Sequence, residues 1–246
     1  MISIIIPTRN EERCIGEVLT RLKAGLRRTP HEIIVSDGAS TDRTVAIARQ
    51  TADRVIEEPE PLKRTIGRGR NLGAAAATGD FVVFMDADTH LLDPDAFFGE
   101  ALAAFTADDH LVGVTVTLKV SPDAETFADK FFFGMVNVTY FVLNNMLRIG
   151  GSSGEFQMVR TSSFRQIGGF CEDLPVGEDN EFFRRLAKIG RTRMLGNLVI
   201  FHTGRRGHII GWPKLFSLWI MNAVWSIVFR RSYSKEWRPV RTDADR

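Results

Sequence analysis

Phe81-Val82-Val83-Phe84-Met85-Asp86-Ala87-Asp88-Thr89 is the stretch on which the reading of this chain turns. Its first five residues are apolar and uncharged, the pattern of a strand buried on both faces, as in a parallel sheet. Two carboxylates separated by one alanine follow. In extended chain, residues i and i+2 share a face. Asp86 and Asp88 are therefore expected to project together into the crevice at the carboxyl end of the sheet, where open α/β folds bind ligands. Such a pair suits Mn2+ or Mg2+, which complete their shells with water and substrate phosphates. The plainer alternative is a strand-end turn in which one aspartate caps a helix starting near Pro94.

Upstream of this stretch the chain alternates strand and helix. Ile2 to Pro7 reads as a buried strand followed by the loop Thr8-Arg9-Asn10-Glu11-Glu12. Ile15, Val18, Leu19 and Leu22 have helical spacing, which predicts a helix over 11–26 with an acidic start and a basic end. Glu32 to Ser36 is a second strand, closed by the turn-forming Asp37-Gly38-Ala39-Ser40-Thr41-Asp42, with Ser40 or Thr41 as the cap of a helix through Gln50. Arg54-Val55-Ile56 reads as a short strand, 57–63 as an exposed loop with Pro59 and Pro61, and 68–77 as a helix stopped by Gly79-Asp80. This βαβαβ rhythm implies right-handed crossovers and an α/β fold with a doubly wound, mostly parallel central sheet.

Downstream, Pro94 to Phe105 is expected as a helix and Leu111 to Val120 as a half-exposed strand. Residues 127–147 are strongly apolar and 150–154 make a flexible Gly-Ser loop. Phe156 to Val159 follows as a strand, then a short helix capped by Thr161, a helix over 178–189 and a strand near 194–201. A dinucleotide fold fails a simple check. Thr8-Arg9-Asn10 carries no glycine fingerprint, Gly67 to Gly73 has the wrong spacing and precedes a strand, and no P-loop lysine motif occurs.

Whole-chain composition narrows the class. The 246 residues include 32 basic and 30 acidic side chains in no dominant block, so there is no nucleic-acid signature. Cys14 and Cys171 form no metal or redox spacing and fit a reducing, cytoplasmic setting. Met1 leads straight into an apolar strand instead of a signal peptide. Asn137-Val138-Thr139 matches a glycosylation pattern inside an apolar stretch and is read as chance.

Several motifs in fixed order resemble glycosyltransferase family 2, inverting enzymes with the A-type nucleotide-sugar fold, over roughly residues 2–190. They are Ile4 to Glu11, Val35 to Thr44, Arg70-Asn71-Leu72-Gly73 with Ala77 to Asp80, Asp86-Ala87-Asp88, Gly168-Gly169-Phe170 and Gly177-Glu178-Asp179. Two departures stand in the second block, where Ser36 replaces an aspartate and Ala39 disturbs the usual Gly-Ser step. The resemblance implies a nucleotide half over about 1–120 and an acceptor half over about 121–205. Pro7, Thr8 and Glu11 would line the nucleoside pocket. Asp37 would accept a hydrogen bond from the ring N–H of uracil or guanine. Arg70 would reach base, ribose or diphosphate, Asp86 the ribose, and Asp88 the bridging cation. Asp179 is the expected general base with Glu178 beside it. His202 is a candidate metal ligand, and Arg205 and Arg206 are candidates for the diphosphate or acceptor. Gln157-Met158-Val159-Arg160-Thr161 lacks the tryptophan of the processive Gln-x-x-Arg-Trp motif, which points to transfer of a single sugar.

All four tryptophans lie from Trp212 onward, in a tail over 206–246. Leu215 to Phe229 is uncharged but, at about 22 Å as a helix, too short for a bilayer core of about 30 Å. Lys214, Ser217, Asn222, Ser226 and Arg230 would form a polar stripe. An amphipathic helix at the cytoplasmic face of a membrane is one reading, and packing on the domain or in a homodimer is the other. The expected activity is metal-dependent inverting transfer from a UDP- or GDP-sugar to an acceptor, such as a lipid or polyprenyl phosphate. The alternatives are a non-catalytic nucleotide-sugar binding protein and a sugar nucleotidyltransferase, whose Gly-rich basic signature is missing from the first loop.

Overall fold

A computed structural model describes residues 1–58, 65–229 and 232–234. Its strands are β1 (Ile2–Thr8), β2 (His31–Asp37), β3 (Arg54–Glu57), β4 (Phe81–Met85), β5 (Thr89–His90), β6 (Leu111–Val120), β7 (Phe156–Arg160) and β8 (Arg191–His202). The helices are α1 (Ile15–Gly25), α2 (Thr44–Ala48), α3 (Ile66–Ala75), α4 (Pro94–Ala107), α5 (Phe127–Phe141), α6 (Thr161–Gln166), α7 (Glu178–Leu186), α8 (Arg205–Ile210) and α9 (Trp212–Phe229). The strands make one sheet in the order β3-β2-β1-β4-β7-β6-β8-β5. β1 runs parallel to β2 and β4, β2 to β3, and β6 to β8. β7 is antiparallel to both β4 and β6, and β5 is antiparallel to β8.

The expected α/β architecture with a mostly parallel sheet is present. The uninterrupted apolar runs follow from two-sided burial. Ile4, Ile6, Val83 and Met85 enter one core layer with Ile15 and Leu19 of α1, while Ile5 and Phe84 enter the other with Phe170 and Phe182. Gly73 lets α3 settle directly on β1, because a Cβ there would lie 2.5 Å from Ile5 Cγ2.

Element ends differ from the expectation where side chains compete for backbone groups. α1 starts at Ile15 and not at Glu11, because Asn10 turns left-handed at φ 54° and the Glu11 N–H donates to Thr44 Oγ1 at 2.7 Å. Ser40 and Thr41 do not cap α2. Its start is organised by Asp42, whose Oδ1 accepts from Thr44 N at 2.9 Å, whereas Ser40 closes the turn of Asp37. Asp93 caps α4 by accepting from Ala96 N at 3.1 Å, so neither Asp86 nor Asp88 serves that helix. α7 stops at Leu186, short of Ile189. Of the loop expected at 57–63, only 57 and 58 are among the described residues.

The apolar stretch after 126 is α5, opened by a capping box between Thr126 and Asp129 and continued by a wider turn over Val142–Met146. Its sequon is no glycan site in this fold, because Asn137 holds Leu118 by both N–H and C=O, at 3.0 Å each. Trp212 stacks on Phe132 at 5.2 Å and donates from Nε1 to the buried Asp129 at 2.8 Å, which docks the start of α9. Trp212 and Leu215 share a core cluster with β1 and β4, so packing continues across the boundary expected after 205. The expected polar stripe does not form as written. Asn222 is buried at 2% exposure and bonds Ser234, whereas Ile220, Met221, Val224 and Trp225 face outward. Arg230 and the Ser226 side chain lie outside the described residues. Among the described residues, no helix is long and apolar enough to cross a membrane.

Candidate active site

β1, β2 and β4 are mutually parallel, so the loops after them share one edge of the sheet. On the first of these loops Thr8 Oγ1 donates to Asp37 Oδ1 at 3.0 Å. The Ser40 hydroxyl donates to the same oxygen at 2.5 Å and the Ser40 N–H to Oδ2 at 2.8 Å. Asp37 is 2% exposed. Its carboxylate ties the β2 turn to the end of β1. Pro7 sits beside α3, where a Cβ on Gly69 would be 3.6 Å from its ring.

Asp86-Ala87-Asp88 lies just past β4, and its two carboxylates take different hydrogen-bond partners while both act on Arg206. The chain turns there into β5, with Thr89 donating to Asp86 O from its backbone N–H (3.3 Å) and its hydroxyl (2.8 Å), so strand alternation has ended. Asp86 reaches toward α3, accepting from Arg70 Nη2 at 3.3 Å, and leaves 34% of its side chain open. Asp88 reaches toward α8. Its Oδ2 accepts from Thr203 Oγ1 at 2.8 Å and from Arg205 Nε at 3.2 Å. Arg205 also meets Glu11 at 3.4 Å, so Glu11 links the loop after β1 to the start of α8. Burial works against the charge on Arg205, but Asp88 and Glu11 outweigh it and raise its pKa. Burial lowers Arg206 to about 10 despite the nearby charges of Asp86 and Glu155.

The acceptor-side carboxylates are gathered by Arg70, which is 1% exposed. Its Nη1 donates to Asp179 Oδ1 at 2.6 Å and to Glu178 Oε1 at 3.1 Å, and its Nη2 donates to Gly154 O at 3.1 Å as well as to Asp86. The guanidinium rests over Phe170 at 5.2 Å. Arg70 lies as a buried link between the β4 turn and the start of α7, because four carbonyl and carboxylate groups converge on it. Burial opposes its charge, yet Asp179, Asp86 and Glu178 raise its pKa. Burial and then the charge of Asp179 push Glu178 up to about 8, with Arg70 opposing. Asp179 is raised by burial and by Glu155, again against Arg70. Asp86 is raised by burial, against Arg70 and with help from Glu155, Asp88 and Asp179. Glu178 is nearly enclosed, at 4% exposure, beside the more open Asp179.

A cation site is tested by the donors at hand. Asp88 supplies a carboxylate, and at the end of β8 the buried His202 Nε2 has no hydrogen-bond partner among the described residues. Its Nδ1 accepts from Gly204 N at 3.1 Å. A lone pair on Nε2 requires the proton to move to Nδ1 and this Gly204 contact to open. Among the described residues no three His, Cys, Asp or Glu side chains form a metal cluster. The set fits a cation that takes part of its shell from donor phosphates.

The Glycosyl transferase family 2 model matches residues 3–168. The chain belongs to this family. The succinoglycan biosynthesis protein ExoA of Rhizobium meliloti is 28% identical over 205 residues, covering 76% of this chain and 58% of ExoA. The glucosyl-3-phosphoglycerate synthase of Mycolicibacterium smegmatis is 37% identical over 103 residues, 39% of this chain and 33% of that enzyme. The chain thus spans from a third to under three fifths of these relatives. The mannosyltransferase PcManGT of Pyrobaculum calidifontis, solved with GDP-Man and Mn2+, superposes with a TM-score of 0.69 at 21% identity, over 93% of this chain and 64% of its own. The Mycobacterium tuberculosis glucosyl-3-phosphoglycerate synthase, with Mn2+, UDP and glucosyl-3-phosphoglycerate, gives 0.60 at 22% identity over 94% and 79%. At these identities the structures establish a shared fold.

The family motifs pointed to the carboxylates but missed their supports. Thr203, Glu155 and above all Gln157 were not singled out as site residues. The signal for Gln157 was present, since it is a polar side chain inside a buried strand, at 0% exposure.

Proposed function

We propose that this chain moves one sugar, with inversion, from a UDP- or GDP-sugar to a hydroxyl acceptor with the aid of Mn2+ or Mg2+. The observation that supports this most is Arg70, which couples Asp86 on the donor side to Asp179 on the acceptor side within one buried cluster. Thr8 and Asp37 form the floor beneath the nucleoside, and Asp86 turns its open oxygen to the ribose. Asp88 and His202 would hold the cation, with Arg205 and Arg206 beside the diphosphate. When bound, a divalent cation supplies charge neutralisation for the leaving diphosphate. Asp179 takes the proton from the acceptor hydroxyl, which requires its ionised form, so turnover rises with pH through its elevated pKa. The cluster of Asp86, Glu155, Glu178 and Asp179 favours a neutral hydroxyl over an acceptor phosphate, because like charges repel. A lipid-linked acceptor remains consistent with the outward apolar residues of α9 and with Phe127 of α5, which is 85% exposed. That surface suits a cytoplasmic membrane face, where anionic vesicles would float the protein.

A thermal-shift series of UDP-glucose, UDP-N-acetylglucosamine and GDP-mannose tests the donor reading. One donor at a hundred times its Kd should stabilise by about 2.7 kcal/mol with Mn2+ present. Asp88→Asn should abolish the Mn2+-dependent part. Absence of stabilisation by every donor, with and without Mn2+, refutes the proposal.

A further inference from the structure

We propose that Gln157 is a positioning residue: with Arg70 it occupies Oδ1 of Asp179, fixes the plane of the carboxylate and so leaves Oδ2 to take the acceptor proton. The inference rests on reading Asp179 as the general base. Gln157 Nε2 donates to Asp179 Oδ1 at 2.9 Å and to Ser152 Oγ at 2.8 Å. Arg70 Nη1 reaches the same Oδ1 at 2.6 Å. The two donors come from β7 and α3, elements fixed in different parts of the core, so rotating the carboxylate breaks both contacts at once. The other oxygen faces Gly154, where an added Cβ would stand 3.1 Å from Asp179 Oδ2 and 2.5 Å from Arg70 Nη2. A side chain at 154 would collide with Arg70, whose Nη2 already bonds Gly154 O, so glycine lets the loop backbone lie directly against the Arg70–Asp179 pair.

The sheet itself gives no reason for a glutamine. Gln157 pairs in register with Phe84 between apolar neighbours, and its Oε1 is buried without a partner among the described residues. An apolar residue would satisfy the strand better, because an unpaired buried oxygen is costly. What glutamine adds is a neutral donor aimed at the carboxylate. The charged or titratable groups around Asp179 are Arg70 from α3, Glu155 before β7, Asp86 after β4, Tyr140 from α5 and Glu178 on its own helix. Gln157 can fix the plane of the carboxylate without adding charge to that cluster.

The experiment compares Gln157→Leu, Gln157→Glu and Asp179→Asn with the wild type. Release of nucleoside diphosphate from UDP-glucose and GDP-mannose is followed in Mn2+, with water and glycerol as acceptors. Misplacement of a base by a fraction of its working geometry lowers kcat by about 10-fold to 100-fold. Gln157→Leu should show that loss with donor KM within about twofold, and the acid limb of its kcat–pH profile should move to higher pH, since the ionised carboxylate has lost a donor. Gln157→Glu, nearly isosteric, should show the same kcat loss and gives the reading if the leucine variant folds poorly. A crystal structure of either variant should show the Asp179 carboxylate rotated. Unchanged kcat together with an unmoved carboxylate overturns the inference, and so does a kcat loss whose pH limb stays in place. Turnover surviving in Asp179→Asn would instead remove the base assignment on which it rests.

Discussion

Replacing Arg70 by methionine tests the central cluster without any need for substrate. The wild-type guanidinium makes contacts to Asp179, Glu178, Asp86 and Gly154 at 2.6, 3.1, 3.3 and 3.1 Å. Methionine fills much of the same volume but leaves these acids uncompensated. Asp86 can turn toward solvent, whereas Glu178 and Asp179 are largely enclosed. Removing one partner from such a buried group costs about 3–5 kcal/mol, less than a sum over contacts would suggest. The cost should depend on pH. Without the cation both acids rise further, so their folded pKa values exceed the unfolded ones. The folded variant then binds more protons than the unfolded chain, and its stability falls as pH rises through that window. At pH 5 the acids are mostly neutral, and the loss should shrink to about 1–2 kcal/mol, the worth of the Phe170 contact and the Gly154 hydrogen bond. Urea unfolding of both proteins at pH 5 and pH 8 measures the difference. A penalty under about 1 kcal/mol at pH 8, or one that does not vary with pH, would refute the account of Arg70 as the counter-ion of α7.

Glu178→Gln should stabilise the protein by about 1–3 kcal/mol at pH 8 and by little near pH 4, because folding no longer has to hold a carboxyl protonated up to about 8; unfolding curves at the two pH values decide it. Asp129→Ala should cost about 3 kcal/mol, since the buried carboxylate receives His208, Trp212 and Thr126. Burial alone would raise Asp129, but those hydrogen bonds hold it low, so its contribution is present above about pH 4 and is lost as pH falls through the lowered value, which Trp fluorescence can follow. Ala39→Gly should raise stability by up to about 1 kcal/mol, because Ala39 sits at φ 58° and glycine relieves that strain, with denaturant midpoints as the readout.

The run from Phe81 to Met85 is legible because burial on both faces leaves one solution, a continuous apolar strand, and the strand in turn locates the edge where the carboxylates collect. Motif order carried the family equally well. What the sequence could not specify was direction and partnership. Nothing in Phe156 to Arg160 says that this strand runs antiparallel between β4 and β6, yet that reversal brings Gln157 to Phe84 and so to Asp179. Arg70 reads as a ligand contact on a helix, and its protein partners Glu178 and Asp179 lie 108 and 109 positions away, beyond any local pattern. The pair Asp86 and Asp88 is legible as two neighbouring acids, but the turn into β5 decides that one bonds Arg70 of α3 and the other Thr203 and Arg205. Local pattern records which groups a segment must bury or expose, while closure of distant segments decides which charges meet. The same division explains Asn222, polar in the helical projection and buried because Ser234 folds back to satisfy its amide. In a site built from separate loops and helix starts, the identity of the acids is therefore a local property, and their ionisation is a property of the assembled fold.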